Sequence, residues 1–211
     1  KHLSVLFIAF LGTTSAFAQE FDLLIRGGKI VDGTGNAWFY GDVGIKNGKI
    51  TRVGQLSGTA TKTLDANGLI VCPGFIDVHT HIEEDEFKLP TADNFIYDGV
   101  TTVVTGNCGL SNVDLGKYFK QLDSVKTSVN VASLIGHNDV RKAVMGTVNR
   151  PATSEEQQRM EAIVEKAMKD GAAGLATGLI YVPGTYSKTE EIVGLAKVAA
   201  RYGGVYASHI R

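Results

Sequence analysis

The stretch Pro73-Gly74-Phe75-Ile76-Asp77-Val78-His79-Thr80-His81 decides how this chain is read. Pro-Gly breaks any preceding element. Phe75 to Val78 is a short apolar run interrupted by one acid, and it reads as a buried strand. His79 and His81 follow, two residues apart. Side chains alternate along extended chain, so both imidazoles share a face. Two imidazoles at the end of an apolar strand can grip one cation, and imidazole suits zinc and similar divalent metals. Spacing alone fits two ordinary polar residues at a strand end equally well, so the flanking sequence has to separate the readings.

Upstream, residues 21–72 read as a small β unit. Phe21–Arg26 is a strand, Gly27-Gly28 a turn and Lys29–Asp32 the next strand. Asn47-Gly48 between two alternating runs is a strong hairpin signal. Asp32-Gly33-Thr34-Gly35 is glycine-rich but lacks the strand-to-helix setting of a phosphate loop, so it reads as a turn. The first 18 residues differ again. Lys1-His2 precedes an apolar run from Leu3 to Leu11, and Ser15-Ala16-Phe17-Ala18 offers Ala-x-Ala before Gln19. This predicts a signal peptide over 1–18, cleaved at Ala18-Gln19, and a secreted or periplasmic product. The apolar run is too short to span a bilayer, so no membrane association is expected after cleavage.

Downstream of Pro73 the pattern becomes alternating strand and helix. Thr101–Gly106, Ser128–Ile135, Ala173–Leu179 and Val205–His209 read as strands two to five, and Leu115–Val125 as a helix. Ser154 with Gln157 three residues on predicts the capped start of the helix after Pro151. Glu190–Tyr202 is the last helix. Glu83-Glu84-Asp85-Glu86 reads as a solvated acidic run, one that would disfavour a strongly anionic substrate near a metal. Alternation of this kind argues a parallel sheet.

Composition adds bounds. The 211 residues are 44% hydrophobic and 20% charged, enough for a sizeable core, and the net charge of -1 without a basic block excludes a nucleic-acid footprint. Cys72 and Cys108 are not expected to pair. They fall at opposite ends of neighbouring strands, about 20 Å apart at the rise of extended chain, against the roughly 7 Å limit for bridged Cα atoms.

Pro-Gly-Phe-Ile-Asp-Val-His-Thr-His resembles the first barrel strand of the amidohydrolase superfamily, metal-dependent hydrolases built on a (β/α)8 TIM barrel. The resemblance implies an α/β fold and makes residues 19–72 part of the small β-sandwich that flanks the barrel. Residues 73–211 then supply the first half of the barrel. A (β/α)8 barrel needs eight strands and usually about 250 residues. Five strands are legible, so the chain is expected to be an N-terminal fragment. Active sites of such barrels lie at the C-terminal ends of the strands. Apart from His2, every histidine falls there: His79 and His81 on strand one, His137 on strand three, His209 on strand five. Cys108 does so on strand two.

Gly106-Asn107-Cys108-Gly109-Leu110-Ser111 is similar to the Gly-Asn-Cys-Gly-Phe-Ser motif of the D-aminoacylase (N-acyl-D-amino-acid deacylase) family. Gly136-His137 with Arg141 and Val144-Met145-Gly146, Gly178–Tyr186, and Tyr206-Ala207-Ser208-His209-Ile210-Arg211 resemble its following segments. Departures are Leu110 for Phe, Val182 for Pro and the acidic run at 83–86. The resemblance implies zinc-dependent hydrolysis of N-acyl-D-amino acids, small-molecule substrates, to a carboxylate and a D-amino acid. Cys108 and His209 would hold a tight Zn2+. His79 and His81 would form a second, weaker position, with Cys108 bridging. A further His ligand and the acid/base Asp would lie beyond residue 211. Tyr181, His137 and Arg211 are the candidates for binding substrate. Two alternatives remain at this level. One is a cyclic-amide hydrolase of the dihydropyrimidinase or dihydroorotase kind, which would want a carboxylated lysine on strand four, where 173–182 has none. The other is a secreted, non-catalytic zinc-binding protein.

Overall fold

The computed structural model describes residues 19–210, so the predicted leader and Arg211 lie outside the described residues. The chain divides into two compact units between Pro73 and Gly74.

The first unit is one mixed sheet of strands β1 (Phe21–Ile30), β2 (Phe39–Lys46), β3 (Lys49–Gly54), β4 (Ala60–Asp65) and β5 (Ile70–Val71). The sandwich expected there is represented among the described residues by this single sheet. β1 is central, antiparallel to β2 and parallel to β4 and β5. Phe21, Leu24 and Leu56 form its small core. Asn47 and Gly48 both have positive φ, 52° and 70°, the turn whose twist matches paired strands. Gly27-Gly28 is a bulge inside β1 rather than the predicted turn. The register slips between Ile25 and Gly28, Gly27 takes φ +71°, and its N–H donates to Asp42 Oδ1 at 2.8 Å. One extra residue is absorbed without reversing the chain.

The second unit carries β6 (Phe75–Asp77), α1 (Asp85–Lys88), α2 (Asp93–Tyr97), β7 (Val100–Thr105), α3 (Leu115–Val125) and β8 (Asn130–Gly136). It continues with α4 (His137–Met145), α5 (Ser154–Lys169), β9 (Gly174–Gly178), α6 (Thr189–Arg201) and β10 (Val205–His209). The five strands are parallel and pair in sequence order, β6 to β10. That is the arrangement of the first half of a (β/α)8 barrel. α3, α4, α5 and α6 bury Leu115, Val140, Met160, Val164, Leu195 and Val198 against Ile135 and Leu175 of the sheet.

α5 starts one residue earlier than the sequence pattern suggests. Thr153 is the N-cap, its hydroxyl accepting from Glu156 N–H at 3.2 Å while Glu156 accepts from Thr153 N–H at 2.8 Å. Arg150 also grips Glu156, with two bonds of 2.7 Å, while Gln157 turns away to Glu161. The acidic run is solvated only at Glu84 and Asp85. Glu86 is buried on the one-turn helix α1, and Glu83 accepts from Thr105 Oγ1 and from Gly106 N–H.

Candidate metal centre

β6 ends at Asp77, yet the strand-like alternation persists through His81. Thr80 donates both its N–H (3.0 Å) and its hydroxyl (2.9 Å) to Val104 O of β7 and is buried. His79 and His81, on either side, therefore emerge on the opposite face, with ring centroids 5.4 Å apart. His79 N–H donates to Asp77 Oδ1 at 3.1 Å, which steadies the turn out of the strand.

Cys108 comes from a tight turn after β7. Its φ and ψ are 54° and 25°, left-handed for a residue with a side chain. The turn is wedged between strand ends that allow no Cβ. One on Gly106 would lie 2.1 Å from Leu134 O, one on Gly136 2.4 Å from Gly109 O, and one on Gly178 2.0 Å from Cys108 O. Asn107 Nδ2 donates to Val104 O at 2.9 Å, and Ser111 Oγ accepts from Gly136 N–H at 2.7 Å. The Gly-Asn-Cys-Gly-Leu-Ser motif is thus a packing device that delivers one thiol to the end of the barrel.

β10 supplies the last member. Its register pairs His209 with Gly178 of β9. Cys108 Sγ then lies 3.5 Å from His209 Nδ1 and 3.6 Å from His79 Nε2. The ligand atoms of His79, His81 and Cys108 all fall within 4.8 Å of one another. Zinc bonds of about 2.3 Å to sulfur and 2.0–2.1 Å to nitrogen, in tetrahedral geometry, put the two donors about 3.6 Å apart. The observed separations and the mixed N/S donor set both fit Zn2+. Burial first, and the nearby Glu83 carboxylate second, push the Cys108 thiol up from its ordinary value. A cation at the sulfur reverses that, because the ligand is the thiolate.

The remaining predicted residues separate. Tyr181, in the loop after β9, sets its ring against His209 at 5.1 Å and 81° and is partly exposed. Arg211 lies outside the described residues. His137 is not brought to the cluster. It is the first residue of α4, fully buried, with Nε2 2.8 Å from Glu191 Oε1, and Arg141 Nη1 holds the other Glu191 oxygen at 2.5 Å. α4 begins at once after β8, so His137 enters a helix–helix ion network instead of the strand mouth. Sequence reasoning passed over Glu83, which ties the Cys108 turn through Gly106. The signal was present, an acid two residues after His81, but it sat inside a charge run. β9 and its loop to Val182 carry no lysine.

Residues 62–204 match the Amidohydrolase family. Over 220 residues the chain is 38% identical to a D-aminoacylase of Alcaligenes xylosoxydans xylosoxydans, covering 92% of this chain and 45% of that protein. An N-acyl-D-glutamate deacylase from Bordetella bronchiseptica, complexed with zinc and a phosphonate mimic of the tetrahedral intermediate, superposes with TM-score 0.87 at 37% identity. That match covers 92% of this chain and 46% of the other. A D-aminoacylase with a binuclear metal centre, described by one-metal activation and second-metal attenuation, superposes with TM-score 0.84 at 37% identity, over 89% and 45%. The chain spans less than half the length of each of these proteins.

Proposed function

We propose, because this chain belongs to the amidohydrolase family, that the full-length protein is a zinc-dependent deacylase. Its reaction is hydrolysis of the amide bond of N-acyl-D-amino acids to a carboxylate and a D-amino acid. The observation that carries the reading is one sulfur, Cys108 Sγ, between two imidazoles at the separations of zinc ligands. The similarity to D-aminoacylases and to an N-acyl-D-glutamate deacylase supplies the substrate class.

Cys108 and His209 would hold the tight ion, and His79 with His81 would offer a second, weaker position beside the same sulfur. Bound Zn2+ supplies an acidified water, with pKa near about 7, and polarises the scissile carbonyl. The protein does the rest. The Cys108 turn, locked by its glycine contacts, fixes the sulfur. Tyr181 packs edge-on against the His209 ring, and its hydroxyl would be the group to hydrogen-bond substrate. An acid/base Asp and a further His ligand, both implied only by the family resemblance, would have to be supplied by residues other than those assigned here. Export is part of the proposal and rests on the basic start, the apolar run and the Ala-x-Ala site. The mature protein from a periplasmic fraction is expected to begin at Gln19, and a product retaining Leu3–Leu11 refutes cleavage there.

The deciding experiment measures zinc content and hydrolysis of N-acetyl-D- and N-acetyl-L-methionine by full-length protein, native and Cys108→Ala. Native protein is expected to hold zinc and release the D-amino acid only, and Cys108→Ala to lose both. Activity that persists without the thiol removes Cys108 from the site. Native protein that turns over neither substrate overturns the substrate class.

A further inference from the structure

We infer that Asn138 is a positioning residue for the metal centre, setting the Cys108-to-His209 separation without touching ion or substrate. The inference rests on the zinc reading above. Asn138 is the second residue of α4 and is 1% exposed. Its carboxamide pairs with both main-chain groups of one residue of β9: Nδ2 donates to Gly178 O at 3.1 Å, and Oδ1 accepts from Gly178 N–H at 3.2 Å. The same amide reaches the Tyr181 carbonyl at 3.5 Å.

What this clamp holds is the Cys108 and His209 side of the ligand frame. Gly178 is the register partner of His209, and the next N–H, of Leu179, donates to His209 O at 2.8 Å. Gly178 also lies so close to the Cys108 carbonyl that no Cβ fits between them. On its other sides the carboxamide is wedged between two glycines. A Cβ on Gly109 would lie 2.2 Å from Asn138 Oδ1, and one on Gly184 2.7 Å from it. The amide thus touches the residue after Cys108 and the Tyr181 carbonyl directly, and reaches His209 through its register partner Gly178. A buried amide with both functions paired has a single resting place, so it fixes that backbone rather than filling space. A partner that orients ligands in this way typically changes metal affinity 10- to 100-fold when altered.

The test uses full-length protein and a chelator competition for Zn2+, with thermal unfolding of the zinc-free protein measured in parallel. Asn138→Asp keeps shape and the acceptor for Gly178 N–H but sets an oxygen against Gly178 O. Zinc affinity is expected to fall about 10- to 100-fold, and the thiolate-to-metal charge-transfer band of the cobalt-substituted protein to shift. Asn130→Asp is the control. Its amide donates to Thr101 O at 3.0 Å at the other end of β8, so it is expected to lower the unfolding temperature with zinc affinity unchanged. If Asn138→Asp does not fold, Gly184→Ala crowds the carboxamide together with the Gly178 carbonyl it holds, each 2.7 Å from the added Cβ, and weaker zinc binding is again expected. Native zinc affinity in the variant that folds overturns the inference, as does a fall that merely tracks lost stability as in the control. Zinc affinity is read independently of turnover. Native protein that binds zinc but cleaves no N-acyl-D-amino acid sinks the substrate assignment and leaves this inference standing.

Discussion

Glu191→Ala removes the carboxylate that holds α6 to α4. Glu191 Oε2 takes Arg141 Nη1 at 2.5 Å and Oε1 faces His137 Nε2 at 2.8 Å, and neither Arg141 nor His137 exposes any surface. Truncation leaves a buried guanidinium with the Arg150 carbonyl at 2.7 Å and an Nε already without a partner. Removing one member of a buried ion pair costs about 3–5 kcal/mol, mostly the penalty of the stranded charge. Each kcal/mol lowers the unfolding temperature of a domain of about 150–250 residues by roughly 2–4 °C, so the expected fall is roughly 6–20 °C. If the stranded charge is the cause, Arg141→Met combined with Glu191→Leu recovers much of the loss. The pH dependence has a definite sign. Burial pushes Glu191 up, but the hydrogen bond and charge of His137 and the charge of Arg141 outweigh it, and its carboxyl titrates below the ordinary 4.5. A depressed native value adds stability that is present above 4.5 and lost as pH falls through the native value. The native-minus-Glu191→Ala difference in urea unfolding is therefore expected to shrink below 4.5. A single-variant cost under about 1 kcal/mol, the scale of an ordinary surface pair, refutes the reasoning. So does a double variant no more stable than the single one.

Two further substitutions test the frame. Gly178→Ala places a Cβ 2.0 Å from Cys108 O and 2.8 Å from the Tyr181 ring, so one strand end must shift. Zinc affinity by chelator competition is expected to drop at least about tenfold, and a native value means the turn yields without moving the sulfur. Thr153→Ala removes the cap of α5 and is expected to cost about 1 kcal/mol in urea titrations, with kcat/KM unchanged. The Glu156 carboxyl is held at about 2, chiefly by Arg150 and then by Thr153 N–H, so its half of the cap is lost only as pH falls from 4.5 through about 2. Glu156→Gln isolates that half, and a native-minus-Glu156→Gln difference that changes markedly between about pH 7 and about 5 contradicts that assignment.

How much of this was readable beforehand follows from which interactions set each position. The parallel strand order and α3 were legible because apolar periodicity is a local signal. His79 and His81 were legible because alternation outlasts the strand: Thr80 stays bonded to β7 after β6 has ended. The errors sit where a long-range partner outvotes a local pattern. Ser154 with Gln157 is as good a capping box on paper as Thr153 with Glu156, and Arg150 decides between them. The run at 83–86 looked solvated because charge is the local cue, while Thr105 and Gly106, more than twenty residues on, claim Glu83. His137 looked like a site residue because it follows a strand, and a glutamate 54 positions later draws it inside.

Cys108 shows how the two kinds of information combine. A side-chain-bearing residue at φ 54° is held there at a cost of about 1–3 kcal/mol, and such a conformer persists only where its surroundings over-determine it. Here they do. Gly106, Gly136 and Gly178 each approach backbone to a distance no Cβ tolerates, and Asn107, Ser111 and Asn138 hydrogen-bond the peptides between them. The strain cannot relax by letting the turn open, since opening it would break the pairs to β7 and β8 together and unseat the turn from Gly178 of β9. The rigidity that stores the strain also fixes the sulfur between His79 and His209. A site that needs a thiolate in one place can accept the unfavourable backbone, because a relaxed turn would give the sulfur several places to be. The glycines of the motif are therefore as much a part of the metal centre as its imidazoles, and an alanine at Gly178 belongs in the same class of lesion as the loss of a ligand.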